Sequence, residues 1–212
     1  KRIKIIKEDI LNFKKLSILI QNTDYVYNLA ATLGTLRVVK YPSRMLNVNS
    51  VATHKIIDYC IKVKKPLVIF STSMVYGKNP KVSVNENDNL FVGGNTKIGL
   101  WWYAISKISE EAYANAKIKE NPKAKIAIIR PFNVIAPVQN PTVGFVFPRF
   151  FSSSIKNDPM LVYGNGQQRR TFTWAEDCVT CLIKLIENKN YWRKTINIGG
   201  TNSISIRTLA KK

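Results

Sequence analysis

Apolar positions along the chain fall into two alternating patterns. Short strand-like runs stand at Ile3 to Ile6 and at Tyr25 to Leu29 (ending in Ala30-Ala31), and unbroken apolar ones at Pro66 to Phe70 and, within Lys125 to Arg130, at Ile126 to Ile129. An unbroken apolar run is the pattern of a strand buried on both faces. Between these runs, apolar residues recur every three or four positions, the spacing of an amphipathic helix. Such stretches are Ile10 to Ile20, Asn49 to Val63, and Ile105 to Lys119, where Ile105, Ile108 and Ala112 are expected on the core side. Strand and helix in alternation predict a parallel α/β sheet with helices on both faces. After Pro131 the texture changes, with Pro, Gly, Phe and Ser punctuating residues 131 to 170. Short strands are expected there at Met160 to Tyr163 and Thr195 to Ile198, around a helix from about Glu176 to Asn188. This predicts a smaller α/β region attached to the sheet. No internal repeat or low-complexity linker is visible.

The 212 residues are 45% hydrophobic and 22% charged, which suits a soluble globular protein and excludes disorder or collagen. No apolar run approaches the ~18 residues that cross a bilayer. The opening Lys1-Arg2-Ile3-Lys4 shows no apolar core or cleavage site, so no signal peptide is expected. The net charge is +20, from 33 basic and 13 acidic residues. The basic residues are scattered in runs no longer than two, and Lys outnumbers Arg 24 to 9. Together with abundant Asn and Ile, this reads as compositional bias rather than a nucleic-acid surface. A small diphosphate is a further candidate polyanion.

Three cysteines, Cys60, Cys178 and Cys181, form an odd set without a secretory signal. Reduced thiols in a cytoplasm are expected. The Cys178-Val-Thr-Cys181 pair lies in an apolar helical stretch with no second pair, so buried structural cysteines are expected. The single histidine, His54, is expected on the surface. A metal site or a histidine triad would have little to be built from.

In such sheets the ligand sits at the carboxyl ends of the strands. The informative residues are therefore Ala30-Ala31, Ser71-Thr72-Ser73 and Pro131-Phe132-Asn133. Tyr103 and Lys107 lie four apart on a predicted helix, hence on one face. An ammonium beside a phenol favours the phenolate and lowers its pKa. A Tyr so activated can take the proton of an alcohol undergoing oxidation and return it in the reverse step. Thr72, at a strand end, can hold the same substrate oxygen. A Tyr and Lys at this spacing are by themselves common on solvated helix surfaces; the order of flanking motifs sets this pair apart.

That order resembles the extended short-chain dehydrogenase/reductases, specifically the NAD-dependent sugar-nucleotide epimerases and dehydratases. The resemblance runs over essentially the whole chain. Glu8-Asp9-Ile10 is similar to the family's Gly-Asp-Ile/Val, and Tyr25 to Ala31 to its VxHLAA. Asn47-Val-Asn49 with Thr53, Ser71 to Gly77, Tyr103 with Lys107, Arg130 to Asn133, Gly164 to Phe172, and Asn197-Ile-Gly199 with Ser205-Ile206 follow in family order. The resemblance implies a Rossmann-like doubly wound parallel sheet lacking its N-terminal strands. Residues 1–133 would form a partial NAD-binding domain, and 134–212 a mixed substrate-binding region interleaved with the sheet. It implies NAD as a tightly held cofactor, contacted by Asp9, Ile10, Leu29, Ala30, Ala31, Tyr103, Lys107 and Pro131. Thr72, Tyr103 and Lys107 would be catalytic. Thr72, Ser73, Asn133, Tyr163 and Arg170 would bind a nucleotide sugar, most simply a UDP-sugar, with Asn133 and Arg170 on its diphosphate and Tyr163 near its base. It also implies a homodimer through a helix bundle that includes the Tyr103 helix. Plainer roles stand beside these: Asn133 as a turn cap, Arg169 and Arg170 as surface charge, Tyr163 as core, and Trp101-Trp102 as packing.

Two departures shape the expected reaction. The family's opening strand and Gly-x-x-Gly-x-x-Gly turn, which cradles the NAD pyrophosphate, has no counterpart; Gly93-Gly94 and Gly164-x-Gly166 lie elsewhere. That unit is expected from further polypeptide or another chain, or the cofactor site is degenerate. The second departure is Ser73-Met74, where the dehydratases carry Asp-Glu and decarboxylases commonly keep the Glu. A thioether is no acid or base, so epimerisation through a 4-keto sugar is favoured. A decarboxylase or reductase on the same scaffold, a non-catalytic nucleotide-sugar-binding fragment, and a basic nucleic-acid module are the other readings. The last lacks any matching motif.

Overall fold

The structure is a computed structural model that describes residues 3–93, 95–97 and 99–212. Lys1, Arg2 and Gly94, named above, lie outside them. In chain order the elements are α1 (Leu16–Gln21), β1 (Val26–Asn28), α2 (Thr35–Lys40) and α3 (Pro42–Leu46). A π-helical turn, Asn47–Ala52, runs into α4 (Thr53–Lys62), followed by β2 (Leu67–Phe70) and a 3₁₀ turn, Ser73–Tyr76. Then come α5 (Gly99–Glu120), β3 (Ile126–Pro131), β4 (Val134–Ile135) and α6 (Val146–Lys156). The chain closes with β5 (Arg169–Thr171), β6 (Thr173–Trp174), α7 (Ala175–Glu187), β7 (Thr195–Ile198), β8 (Ser203–Ser205) and α8 (Ile206–Lys211).

The main sheet has the order β1-β2-β3-β7, all parallel. Its two central strands are apolar over Leu67 to Phe70 and Ile126 to Ile129 because both faces are covered. Leu67, Ile69, Ile126 and Ile128 face a cluster with Ile20, Ile56, Ile57, Cys60, Ala114 and Ile118, beneath α1, α4 and α5. Val68, Ala127 and Ile129 point the other way, onto Cys178, Leu182 and Leu185 of α7. Each fully buried aliphatic side chain contributes roughly 1.5–3 kcal/mol. The architecture is thus the expected α/β Rossmann-like one. β7, from the C-terminal part, completes this sheet, while β4-β6 and β5-β8 form two small separate ladders.

Several local expectations differ. Residues Ile3 to Ile6 form no strand, and Ile3 and Ile5 are both 87% exposed. A strand needs a neighbour for its backbone, and none pairs with this run among the described residues. Met160 to Tyr163 is likewise no strand. The helix expected over Ile10 to Ile20 is confined to α1, because the Asp9 carboxylate accepts the Leu11 N–H at 3.1 Å and holds a turn. On α5 the inner face is Trp101, Ala104, Lys107, Glu110, Glu111, Ala114 and Ile118, and Ala112 is exposed. His54 is half-buried, not a free surface residue, and its ring stacks on Tyr113 at 4.1 Å. Of the cysteine pair, Cys178 is buried but Cys181 is exposed. Burial pushes the Cys60 thiol up to about 12, which leaves it unreactive.

Candidate active site

The carboxyl ends of β1, β2 and β3 meet the N-terminal half of α5, and a polar network locks them in register. Arg130, at the end of β3, donates from Nε to Glu111 Oε1 at 3.0 Å and from Nη2 to Oε2 at 2.6 Å. The Ser71 hydroxyl donates to the same carboxylate. Arg130 Nη1 also donates to the Tyr76 hydroxyl at 2.8 Å, which donates to Asn197 Oδ1 on β7 at 2.8 Å. A two-point guanidinium–carboxylate pair of this kind fixes direction as well as distance. The β2 end then turns sharply. Gly77 has φ +60°, and a Cβ there would run into the Phe91 carbonyl.

Within this frame stand the three residues expected to be catalytic. Thr72 caps the Ser73–Tyr76 turn, its hydroxyl accepting the Met74 N–H at 3.2 Å. Tyr103 lies beside the same hydroxyl, whose influence on the phenol pKa is a small lowering. Lys107 is buried; its Nζ donates to the Phe70 carbonyl at 2.9 Å and pairs with Glu110. Thr72, Tyr103 and Lys107 are therefore brought together. The expected lowering of the Tyr103 pKa is not what the geometry gives. Burial, then the Glu110 carboxylate, push it up to about 12, against the smaller effect of Thr72. The Lys107 ammonium is paired with the Glu110 carboxylate, which offsets its charge. Beside them Ser73 is half-buried and Met74 is exposed.

The loop after β1 is tied to the same helix. Asn49, in the π-helical turn, is fully buried; it accepts the Thr32 N–H at 2.8 Å and donates to Ser106 Oγ at 3.0 Å. Asn28 Oδ1 accepts the Ala30 N–H at 3.2 Å. Leu29, Ala30 and Ala31 thus form an uncharged shelf, and the next residue, Thr32, is tied through Asn49 to Ser106 of α5. Pro131 is half-buried at the end of β3. Asp9 and Ile10 are differently engaged: Asp9 pairs with Arg44 at 2.8 Å, and Ile10 packs on the core. No hydrogen bond among the described residues joins them to the shelf. The shelf and the Lys107 donor suit the flat nicotinamide ring and the hydroxyl-bearing ribose of a dinucleotide. No described residue forms a glycine cradle for its pyrophosphate.

A second cleft lies between α6 and the 163–170 segment. Tyr163 and Arg170 line it together, with Gly144, Arg149 and Gln168. Arg149 stacks its guanidinium 4.6 Å from the Tyr163 ring centre and donates to the Leu161 carbonyl at 3.0 Å. Sequence reasoning passed over Arg149, and only its Pro-Arg-Phe setting in an amphipathic helix could have drawn attention to it. Asn133 lies between the two sites, exposed, with φ +39° and its amide donating to the Thr171 carbonyl at 2.8 Å. Among the described residues no three His, Cys, Asp or Glu side chains gather as for a metal, and no helix is long and apolar enough to cross a membrane.

This arrangement has known counterparts. A UDP-N-acetyl-alpha-D-glucosaminuronate decarboxylase from Bacillus cytotoxicus is 33% identical over 211 residues, covering 99% of this chain and 64% of the relative. A UDP-glucuronic acid 4-epimerase from Bacillus cereus, solved with UDP-glucuronic acid and NAD, is 32% identical with a TM-score of 0.82, covering 95% of this chain and 62% of that one. A UDP-N-acetylglucosamine 4-epimerase from Methanobrevibacter ruminantium is 27% identical with a TM-score of 0.86, covering 97% of this chain and 64% of that one. The chain thus spans about 64% of the length of the curated relative. The family model described as NAD dependent epimerase/dehydratase matches residues 1–199. By its sequence, its sheet and its motif order, the chain belongs to the NAD dependent epimerase/dehydratase family.

Proposed function

We propose that this chain carries the catalytic part of an NAD-dependent enzyme that epimerises a nucleotide sugar, most simply a UDP-sugar. The observation that carries the reading is the convergence of Thr72, Tyr103 and Lys107 at the carboxyl end of β2, with a thioether at position 74. Bound NAD would supply the acceptor and donor of hydride for the sugar carbon. Tyr103 takes the proton of the reacting sugar hydroxyl as the ketone forms and returns it when the alcohol is restored. Thr72 hydrogen-bonds the same oxygen and orients it. Lys107, held by Phe70 and Glu110, keeps a donor for the nicotinamide ribose beside the shelf of Leu29, Ala30 and Ala31. Pro131 would flank the same end, and Asp9 with Ile10 the adenine end. Asn133 and Arg170 would bind the diphosphate, Tyr163 the base, and Ser73 the sugar.

Epimerisation needs no acid or base besides Tyr103, because the ketone is reduced from its other face. Met74 cannot protonate or deprotonate a sugar carbon, which supports that outcome over dehydration. Decarboxylation is the second reading, favoured by the 33% identity to a decarboxylase of the same substrate class. Product analysis separates the two. A mass-conserved epimer of a UDP-hexose or UDP-hexuronate supports the first, and CO2 with a UDP-pentose supports the second.

The same reading includes a homodimer through α4 and α5, where the His54–Tyr113 stack and Asp58 lie, with exposed Val51 in the turn leading into α4. It also includes a cytoplasmic setting, supported by three unpaired cysteines.

A further inference from the structure

Tyr103, Lys107 and Glu110 stand at i, i+4 and i+7 on α5 and therefore share one helix face. Glu110 is fully buried, at 0% exposure, and Lys107 is at 2%. Lys107 Nζ donates to Glu110 Oε2 at 3.1 Å and lies 2.9 Å from Oε1. Oε1 has no aligned donor among the described residues. Buried carboxylates almost always satisfy both oxygens. This one is held by the ammonium alone. Its neighbour Glu111 contrasts sharply, with Arg130 and Ser71 filling its carboxylate. Glu111 ties α5 to the ends of β2 and β3, whereas among the described residues the Glu110 carboxylate is bonded to Lys107 alone.

We propose that Glu110 is a positioning residue for the reaction above: its carboxylate fixes the Lys107 ammonium and offsets the positive charge that Lys107 presents to Tyr103. The pH range in which Tyr103 can accept a proton is then set by the Lys107–Glu110 pair rather than by Lys107 alone. The charged and titratable groups that reach Glu110 are Lys107 and Tyr103 on its own face, Glu111 beside it, and Arg130 of β3 behind Glu111. Burial raises the Glu110 carboxyl to about 7, against the lowering by Lys107. Above that pH it is anionic, and its field adds to burial in raising Tyr103. The proposal rests on the reading of Tyr103 as the acid–base group.

The test is a titration of Tyr103 in the whole protein with NAD present and no substrate. Tyrosine carrying carbon-13 at the ring Cζ gives one resonance per residue, and loss of a resonance in Tyr103→Phe assigns it. Glu110→Gln keeps the acceptor and removes the charge. It is expected to lower the Tyr103 midpoint by on the order of one pH unit and to move the alkaline rise of activity by the same amount. Glu110→Asp, which keeps the charge, should leave the midpoint near that of the parent. In the parent itself the Tyr103 resonance should show a small inflection near pH 7 as Glu110 ionises, a readout that needs no variant. A merely structural Glu110 would lower thermal stability in both variants and leave the midpoint unmoved. An unmoved midpoint in Glu110→Gln, or no inflection in the parent, overturns the proposal. A shifted midpoint in a protein that turns over no nucleotide sugar would overturn the function above and keep the Lys107–Glu110–Tyr103 coupling.

Discussion

Arg130 and Glu111 form a buried two-point ion pair, with side-chain exposures of 6% and 5%, joining the end of β3 to the middle of α5. Burying two charges costs several kcal/mol each unless both are paired and hydrogen-bonded. Here Ser71 and Tyr76 complete the pair. Removing one member leaves the other unpaired in the core. Arg130→Met and Glu111→Ala are each expected to cost about 3–5 kcal/mol of stability. Urea unfolding followed by circular dichroism measures this, and a loss below about 1 kcal/mol would show that water reaches the pair.

Tyr103→Phe removes one hydroxyl and little volume. Among the described residues no backbone group is hydrogen-bonded to that hydroxyl, so the fold should persist with an unchanged melting temperature. Turnover should fall by roughly 10²–10⁴-fold, the usual worth of a positioned acid–base group. Equal activity of the two proteins would remove Tyr103 from the reaction.

The raised carboxyl of Glu110 also makes stability depend on pH. Its pKa is about 7 in the fold against an ordinary 4.5, so the folded chain holds a proton that the unfolded chain has already released. Stability from this group is therefore greatest at low pH, falls as pH rises between those two values, and levels off above the higher one. Scanning calorimetry of the parent and of Glu110→Gln isolates the effect. The difference in melting temperature between them should favour the Gln protein increasingly as pH climbs from 5 to 7.5. A constant difference would mean that Glu110 is ionised throughout.

The cleft shared by Tyr163, Arg149 and Arg170 predicts a different kinetic signature. Arg170→Ala and Tyr163→Ala touch ground state and transition state alike. Each should raise KM for the nucleotide sugar about tenfold while leaving kcat within about threefold. Arg149→Ala should do the same through loss of its stack on Tyr163. A fall in kcat with unchanged KM would place these residues nearer the chemistry than the structure puts them.

Much of this was legible in the sequence for a simple physical reason. β2 and β3 are buried on both faces, so Leu67 to Phe70 and Ile126 to Ile129 show unbroken apolar runs, and the alternation of runs and helices fixes the sheet. Tyr103 and Lys107 are read from spacing because a helix maps four residues onto one face. The strand expected at Ile3 to Ile6 fails because strand formation depends on a partner, which the run itself does not encode. Ala112 was misplaced because two charged residues, Glu110 and Glu111, take the buried face of α5, against the general exposure of carboxylates. Arg149 was missed because its meaning comes from Tyr163, brought beside it only by the turn after α6.

The most direct measurement of the central claim uses a UDP-sugar deuterated at C4, incubated with the protein and NAD, and analysed by NMR and mass spectrometry. Hydride return from the cofactor to the carbon it came from predicts the C4 epimer with deuterium retained, no CO2 and no accumulated NADH. Loss of CO2 with a pentose product would contradict epimerisation and establish decarboxylation on the same Thr72, Tyr103 and Lys107 frame.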